Sequence, residues 1–422
     1  MKARYPVAST ASTSFAAEII DRIEVLGAIS EADGMLTRRY LTAEHRRAND
    51  AVRGWMEAAG MAVREDAVGN IIGRYEGAEP GAAALMVGSH VDTVIDGGKY
   101  DGTLGVLSGI ACVAAFNEAG QRFPFAIEVV GFGDEDGARF QSTFLGSRAI
   151  AGTFDHTILT RLDGDGISVA EAMAAFGLDT GAIDGAAYGR ENVLAYLELH
   201  IEQGPVLEQQ GLAVGVVTAI AGATRLSVTV TGEAGHAGTV PMALRRDALA
   251  AASECVLAVE LAASSGTDMV GTVGKLAVEP GALNVVPGRV SFTIDFRAAR
   301  DDDRNAGLAA LRDTIDQIAV RRSVEIVTEV VHEAGSVQCA SHLMAQISGA
   351  IEACGHPVLH LPSGAGHDAM AMADLTDVGM IFVRCKGGIS HHPQESVTDK
   401  DAGDAAQVLC HVIENFALDE EA

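Results

Sequence analysis

Residues 84–94 read ALMVGSHVDTV. Ala84 to Val87 form a short apolar run of strand type, which leaves through Gly88 and Ser89 into His90 and Asp92. In open α/β sheets, ligands bind beyond the carboxyl ends of the strands, so polar side chains at that exit are candidate site residues. Two further runs behave alike. Phe125–Phe132 (FAIEVVGF) leads into Asp134, Glu135 and Asp136, and Val193–Ile201 (VLAYLELHI) carries His200 near its end before the break at Gly204 and Pro205. Asn70–Tyr75 is another strand-type run, and Leu104–Glu118 has the texture of a helix. Alternating strands and helices predict an α/β layer.

Upstream, Thr13 to about Gly60 is predicted to be a helical entry, with Phe15, Ile19, Ile20, Ile23 and Leu26 at helical spacing. Downstream, the texture changes from about Gly215. Leu226–Thr231, Val290–Arg297 and Val324–Val331 read as strands, while Arg246–Ala263 and Ala306–Val320 read as helices. So few residues leave little room for a parallel crossover sheet, which points to a small inserted α+β domain. A helix at Ser341–Cys354, a strand at Gly379–Arg384 and a helix at Asp401–Phe416 then complete the first sheet. The expected fold class is α/β. A catalytic domain (1–213 and 330–422) with a mixed sheet flanked by helices carries an inserted α+β, ferredoxin-like domain (214–329).

The 422 residues exceed what one core usually supports, in agreement with two domains. A formal charge of −27 gives no general attraction for nucleic-acid phosphates or anionic lipid, so neither is an expected partner. Cys112, Cys255, Cys339, Cys354, Cys385 and Cys410 include no C-x-x-C pair and read as reduced thiols rather than a disulfide framework. Lys2, Arg4 and Pro6 precede a polar stretch with no apolar leader core, and no apolar run is long enough to span a bilayer. The expected location is cytoplasmic.

None of the polar residues is diagnostic alone. His90-x-Asp92 could be ordinary loop polarity, or a metal ligand followed by a carboxylate that orients it. Asp101, in KYDGTLGV, could cap the helix that follows or bridge two metals with one oxygen to each. Asp134, Glu135 and Asp136 repel one another unless protons or cations compensate, and an exposed acidic turn is the alternative. His200, in LELHIEQGPVLE, and His391, in KGGISHHPQES, could each be an ordinary hydrogen-bonded histidine. Together, three histidines and two aspartates form a nitrogen and oxygen set suited to zinc, manganese or cobalt rather than calcium or magnesium.

The ordered set GSHVDTV, KYDGTLGV, DEDGARF, HIEQGPVLE, GHAGTVPMALRRDA, NVVPGRVSFTIDFR, SGAGHDAM and GGISHHPQE, from about residue 15 to 416, resembles a known family. It is similar to the dinuclear amidohydrolases that include N-carbamoyl-L-amino-acid hydrolase, β-ureidopropionase and allantoate amidohydrolase, within the aminoacylase and carboxypeptidase-like superfamily. The resemblance implies two divalent transition-metal ions, zinc or manganese, with cobalt or nickel as alternatives. His90, Asp101 and His200 would hold one ion, and Asp101, Asp136 and His391 the other. Glu135 would be the general base and Asp92 would orient His90. The inserted domain would serve as a lid and dimerisation domain of a homodimer, with His236 polarising the scissile carbonyl. Asn284 and Arg297 would hold the carboxylate of a small ureido or carbamoyl substrate, with Gln203 and His367 as further contacts. A guanidinium at Arg297 can engage a carboxylate bidentately, and a strand-end ion pair is its plainer role.

This chain departs from the family pattern at Asp136, where Glu is usual, and at Val240, where Thr is usual. The implied reaction is hydrolysis of a non-peptide C–N bond in a linear amide, with release of ammonia and carbon dioxide. The alternative within enzymes is a dizinc dipeptidase or an N-acyl amino-acid amidase. A further spacing, Gly364, Gly366 and Ala369, imitates a dinucleotide fingerprint but contains His367 and Asp368 and lacks the downstream acid that would hold a ribose.

Overall fold

The structure is a computed structural model that describes residues 10–417, with side chains from Phe15 onward; the Lys2–Pro6 stretch lies outside the described residues. The chain begins with helix α1 (Thr10–Gly27), which buries Ile19, Ile23 and Leu26 at helical spacing. Helix α2 (Ala43–Ala58) starts at Thr42, whose hydroxyl accepts the His45 amide. Strands β1 (Ala62–Glu65), β2 (Ile71–Tyr75) and β3 (Ala84–His90) follow, then helix α3 (Thr103–Glu118) and β4 (Ala126–Phe132). β3 and β4 are buried along their whole length and pair in parallel, as expected for strands covered on both faces.

Short helices α4 (Leu145–Ile150) and α5 (Val169–Phe176) build a satellite cluster around Tyr40, Phe140 and Met173. Sequence reading found no elements there, because helices this short show too few turns to reveal a period. β5 (Val193–Ile201) coincides with the run read from sequence, and α6 (Val206–Gln210) and β6 (Val214–Ile220) come after it.

A second compact unit comprises Ala219–Gln338 and Pro362–Gly366. Its elements are β7 (Gly222–Thr231), β8 (Gly235–His236), α7 (Ala248–Ser264), β9 (Met269–Thr272), β10 (Leu276–Glu279), β11 (Val285–Val286), β12 (Arg289–Ala298), α8 (Asp301–Arg322) and β13 (Glu325–Ala334). β9 and β10 both pair with β12, which pairs with β7, which pairs with β13, all antiparallel. With one helix after the first strand and one before the last, this is the ferredoxin-like order. Val228, Val230, Phe292 and Phe296 face Cys255 and Val259 of α7 and Leu311 and Ile315 of α8 in one core.

The expected limits at 214 and 329 are corrected here. Val214 lies in β6, which pairs with another strand of the larger unit, and Glu329 lies inside β13. A continuing strand carries no break in periodicity that could mark a boundary. β14 (Val337–Gln338) pairs with Ile220 and Ala219 at the outer end of β6.

The chain then supplies α9 (Ser341–Ala353), β15 (His360–Ser363), α10 (Ala369–Met372), β16 (Val378–Val383) and α11 (Asp399–Glu414). β16 pairs in parallel with β5 and antiparallel with β6. The sheet of the larger unit therefore runs β1-β2-β4-β3-β5-β16-β6 and is mixed. α1, α3 and α11 pack together over it, while Leu343 and Ile347 of α9 join the same core. All six cysteines are free thiols, and five of them are buried. Among the described residues no helix is long and apolar enough to cross a membrane.

Candidate metal centre

β4, β3 and β5 are adjacent and parallel, so their carboxyl ends open on one edge of the sheet. His90 closes β3, Asp134 to Asp136 follow β4, and His200 is the last but one residue of β5. The loop after β3 returns through Asp101 before α3 begins, and the loop after β16 carries His391. Asp101 stands between imidazoles. Its Oδ1 lies 3.1 Å from His200 Nε2 and 3.8 Å from His90 Nε2, and its Oδ2 lies 3.2 Å from His391 Nε2. His391 Nε2 is in turn 3.8 Å from Asp136 Oδ1. Asp101 does not cap α3, whose N-cap is Gly102 without a side-chain bond. Gly102 has a left-handed φ of 65°, and a Cβ there would meet the His90 ring at 2.5 Å.

The donors suit cations. His90, Asp101 and His200 present ligand atoms within 4.8 Å of one another, as do Asp101, Asp136 and His391, and also His90, Glu135 and Asp136. A tetrahedral ion with bonds of about 2.1 Å sets its ligand atoms roughly 3.4 Å apart, close to the separations around Asp101. His90 Nδ1 lies 3.0 Å from the Asp92 carbonyl and His200 Nδ1 lies 2.9 Å from the Ile201 carbonyl. Both rings thus donate through Nδ1 and turn Nε2 toward Asp101, where it donates to the carboxylate when protonated and can ligate a cation when neutral. Asp136 Oδ2 is buried with no hydrogen-bond partner, as an oxygen reserved for a cation would be.

Charge distribution follows burial. Burial opposes ionisation of Asp101, but hydrogen bonding to His200, His391 and His90 outweighs it and holds the carboxyl well below its usual range. Burial pushes Asp136 up to about 7. Burial likewise drives Asp134 well up, with Asp92 and Asp136 adding repulsion. An acid cluster this dry needs cations or protons.

The other expected residues fall differently. The Asp92 carboxylate was expected to orient His90, but its nearest oxygen is 3.8 Å from Nδ1. It accepts instead from the amides of Glu135 and Asp136, at 3.2 and 3.4 Å, and so shapes the acidic turn. Gln203 Nε2 lies 3.2 Å from Asp101 Oδ1 and 3.3 Å from His391 Nε2, within the cluster itself. His367 is buried, with its ring centroid 4.4 Å from that of His200, and packs beside Phe382.

His236, Asn284 and Arg297 belong to the smaller unit. His236 and Asn284 are exposed on the β8–β11 ribbon, where the Ala237 amide donates to the Asn284 carbonyl. Arg297 is engaged as the plainer alternative foresaw, by both oxygens of Asp295 and by the Gly364 carbonyl. The Gly364–Ala369 spacing is not an open phosphate loop, because the Ala369 amide donates to buried Glu198.

Sequence reasoning missed Arg38 and Glu395. Buried Arg38 donates to the carbonyls of Val91, Leu26 and Ile29, and so fixes the backbone between His90 and Asp92. Each is a charged residue far in sequence from the residues it serves, and only its burial marks it.

Residues 86–415 match the peptidase family M20/M25/M40. The chain is 44% identical to an N-carbamoyl-L-amino acid amidohydrolase of Geobacillus stearothermophilus, over 94% of this chain and 98% of that one. It is 42% identical to allantoate deiminase 1 of Glycine max, over 95% and 89% of the two chains. Its fold superposes on a crystal structure of an amidase of the hydantoinase/carbamoylase family from Burkholderia multivorans with a TM-score of 0.89 at 34% identity, covering 94% and 97%.

Proposed function

We propose, from the fact that the chain belongs to the peptidase family M20/M25/M40, that it is a metal-dependent amidohydrolase cleaving a carbamoyl or ureido C–N bond. It is a hydrolase of non-peptide C–N bonds in linear amides, and its substrate is an N-carbamoyl-L-amino acid or allantoate. The observation that carries the metal reading is the sharing of Asp101, with Oδ1 toward His200 and Oδ2 toward His391. His90, Asp101 and His200 would hold one divalent transition-metal ion, and Asp101, Asp136 and His391 a second. When bound, such ions supply Lewis acidity, which lowers the pKa of water and polarises a carbonyl.

Glu135 is the general base. Its carboxylate takes a proton from water as the oxygen attacks the carbamoyl carbon, then delivers that proton to the leaving nitrogen as the C–N bond breaks. The released carbamic acid decomposes to ammonia and carbon dioxide. Gln203 orients the substrate beside Asp101, with His367 supporting His200 from behind. Arg297 and Asn284 receive the substrate's carboxylate, for which Arg297 must share or exchange its bond to Asp295.

His236 donates to the developing oxyanion. Its Nδ1 accepts the Gly238 amide at 3.1 Å, which leaves the proton of the neutral ring on exposed Nε2. We place this histidine in the site of a second copy, so the active species is a homodimer joined through the smaller unit. Leu257 and Leu261 on α7, Val320 on α8 and Val330 and Val331 on β13 are all exposed there, which supports an association surface.

The test is ammonia release by zinc-, manganese- or cobalt-reconstituted protein from a panel of N-carbamoyl-L-amino acids and allantoate, run beside release of free amino acid from dipeptides and N-acyl amino acids. Turnover confined to dipeptides or N-acyl compounds would overturn the carbamoyl reading.

A further inference from the structure

Two loops carry Asp101 and His391, and among the described residues no backbone hydrogen bond between them fixes their spacing. One runs from β3 to α3 and ends at Asp101; the other follows β16 and contains His391. Glu395, four residues beyond His391 and 4% exposed, joins them. Its Oε1 accepts the amides of Tyr100 and Asp101, at 2.9 and 3.1 Å. Its Oε2 accepts the Ser390 hydroxyl at 2.9 Å. Ser390 precedes His391 and also accepts from Gln203 Nε2 at 3.0 Å. The loop is shaped around this carboxylate, since a Cβ on Gly98 would lie 2.1 Å from Glu395 Cδ and Oε1.

The chemistry favours a carboxylate here. The amides of Tyr100 and Asp101 stand just before α3, where the positive end of the helix dipole favours a negative charge. A buried acceptor that loses its donors, or buried amides that lose their acceptor, carry the full desolvation penalty, so the contact is held at both ends.

We propose that Glu395 is a positioning residue that ties the Asp101 loop to the His391 loop and thereby fixes the geometry of the second metal position. This rests on the metal reading given under Proposed function. Without the tie, Asp101 and His391 are joined only through their own side chains, Gln203 and the ion they bind, and ordering both loops weakens its binding. Outer partners of metal ligands carry effects of this kind.

The test is titration of metal-free full-length protein with cobalt(II), followed by its visible absorption, alongside kcat and KM of the loaded enzyme. The parent is expected to take up two ions. E395A is expected to bind the second ion about 10- to 100-fold more weakly, with an altered cobalt spectrum and a fall in kcat larger than any rise in KM. E395Q, whose amide oxygen can still accept both backbone amides while its nitrogen donates to Ser390, is expected to recover most of that affinity. S390A removes the hydroxyl that Glu395 accepts, and with it an acceptor of Gln203 Nε2, in a small change, and is expected to weaken the second ion in the same direction. Should E395A not fold, S390A and E395Q decide the matter. A parent that binds two ions, with S390A and every soluble Glu395 variant matching it in affinity and spectrum, overturns this inference alone. A parent that binds no cobalt overturns the metal reading and this inference with it.

Discussion

Glu135 lies between Asp134 and Asp136 at the exit of β4, and burial first, then the charges of Asp136, Asp368 and Asp101, push its carboxyl well above the usual range against the pull of His90. A dry carboxyl beside the candidate metal centre suits a group that must take a proton and give it back. Glu135→Gln keeps the size of the side chain and removes the base. It is expected to retain bound metal while kcat falls by about 10²- to 10⁴-fold, measured by metal analysis and ammonia release. Near-parent turnover would remove Glu135 from its proposed role.

A second residue-scale expectation concerns His45, which is buried near Tyr40, stacks on Phe176 and accepts the Leu41 amide through Nδ1. Burial lowers its pKa to about 3. The folded ring stays neutral while the unfolded one gains a proton below about 6.5, so its contribution is present above that pH and is lost as pH falls toward 3. Between pH 7 and pH 5 this group alone should remove about 2 kcal/mol of stability. Urea denaturation of the parent and of His45→Asn at both pH values checks it: the variant starts less stable but loses less on acidification.

At this scale the sequence was most legible where a residue belongs to a motif. His90, Asp101, Glu135, Asp136, His200 and His391 were all named and all converge. Asp92 has a second attachment that nearness to His90 did not suggest: its carboxylate stands 3.8 Å from His90 Nδ1 and also accepts the amides of the turn after β4.

Among the elements, α3 shows how tightly the site is backed. It is apolar on nearly every side and buried over most of its length, as expected of a helix enclosed by a sheet and other helices. Gly105 lets it approach β5 beside His200, and a Cβ at this position would lie 2.2 Å from the Leu199 carbonyl oxygen. One turn later, a Cβ at Gly109 would meet valine methyl groups rather than backbone, Cγ1 of Val129 and of Val87 at 3.1 Å and Cγ2 of Val129 at 3.4 Å. Gly105→Ala must move backbone and is expected to cost about 3 kcal/mol or more, whereas Gly109→Ala should cost about 1 kcal/mol or less. Thermal or urea unfolding ranks the two, and equal effects would contradict the packing described. The long strands and helices were readable because periodicity accumulates over many residues. β1, the β8–β11 ribbon, α4 and α5 were not, since they are too short to repeat a pattern, and the ribbon in particular carries His236 on two paired residues.

For the whole molecule, cations are expected to act as folding ligands, because many of the carboxylates around them are buried and repel one another. Removal of metal with a chelator should lower the melting temperature by several degrees, and zinc, manganese or cobalt should restore it; a site filled to 1,000 times its Kd adds about 4 kcal/mol. A melting curve indifferent to chelator would contradict the metal centre. The proposed homodimer has its own test. If His236 serves a second copy, mixing H236A with E135Q protein under conditions that exchange subunits should regain up to about a quarter of parental activity per site, because each mixed dimer carries one intact site. No recovery, or a monomer in sedimentation velocity, would overturn the arrangement.

Sequence by itself determined the α/β class, the ferredoxin-like insertion, the family and the residues that converge at the candidate metal centre, because hydrophobic period and motif order are local properties that survive without coordinates. Tertiary structure decided where the insertion begins and ends, since β6 and β13 run through the expected limits. It also decided that Asp101 serves the imidazoles rather than capping α3, and that Asp92 holds the acidic turn. Above all it revealed Glu395, which reaches back almost three hundred positions to Tyr100 and Asp101. Such pairings depend on which parallel strands end side by side, and no local pattern records that.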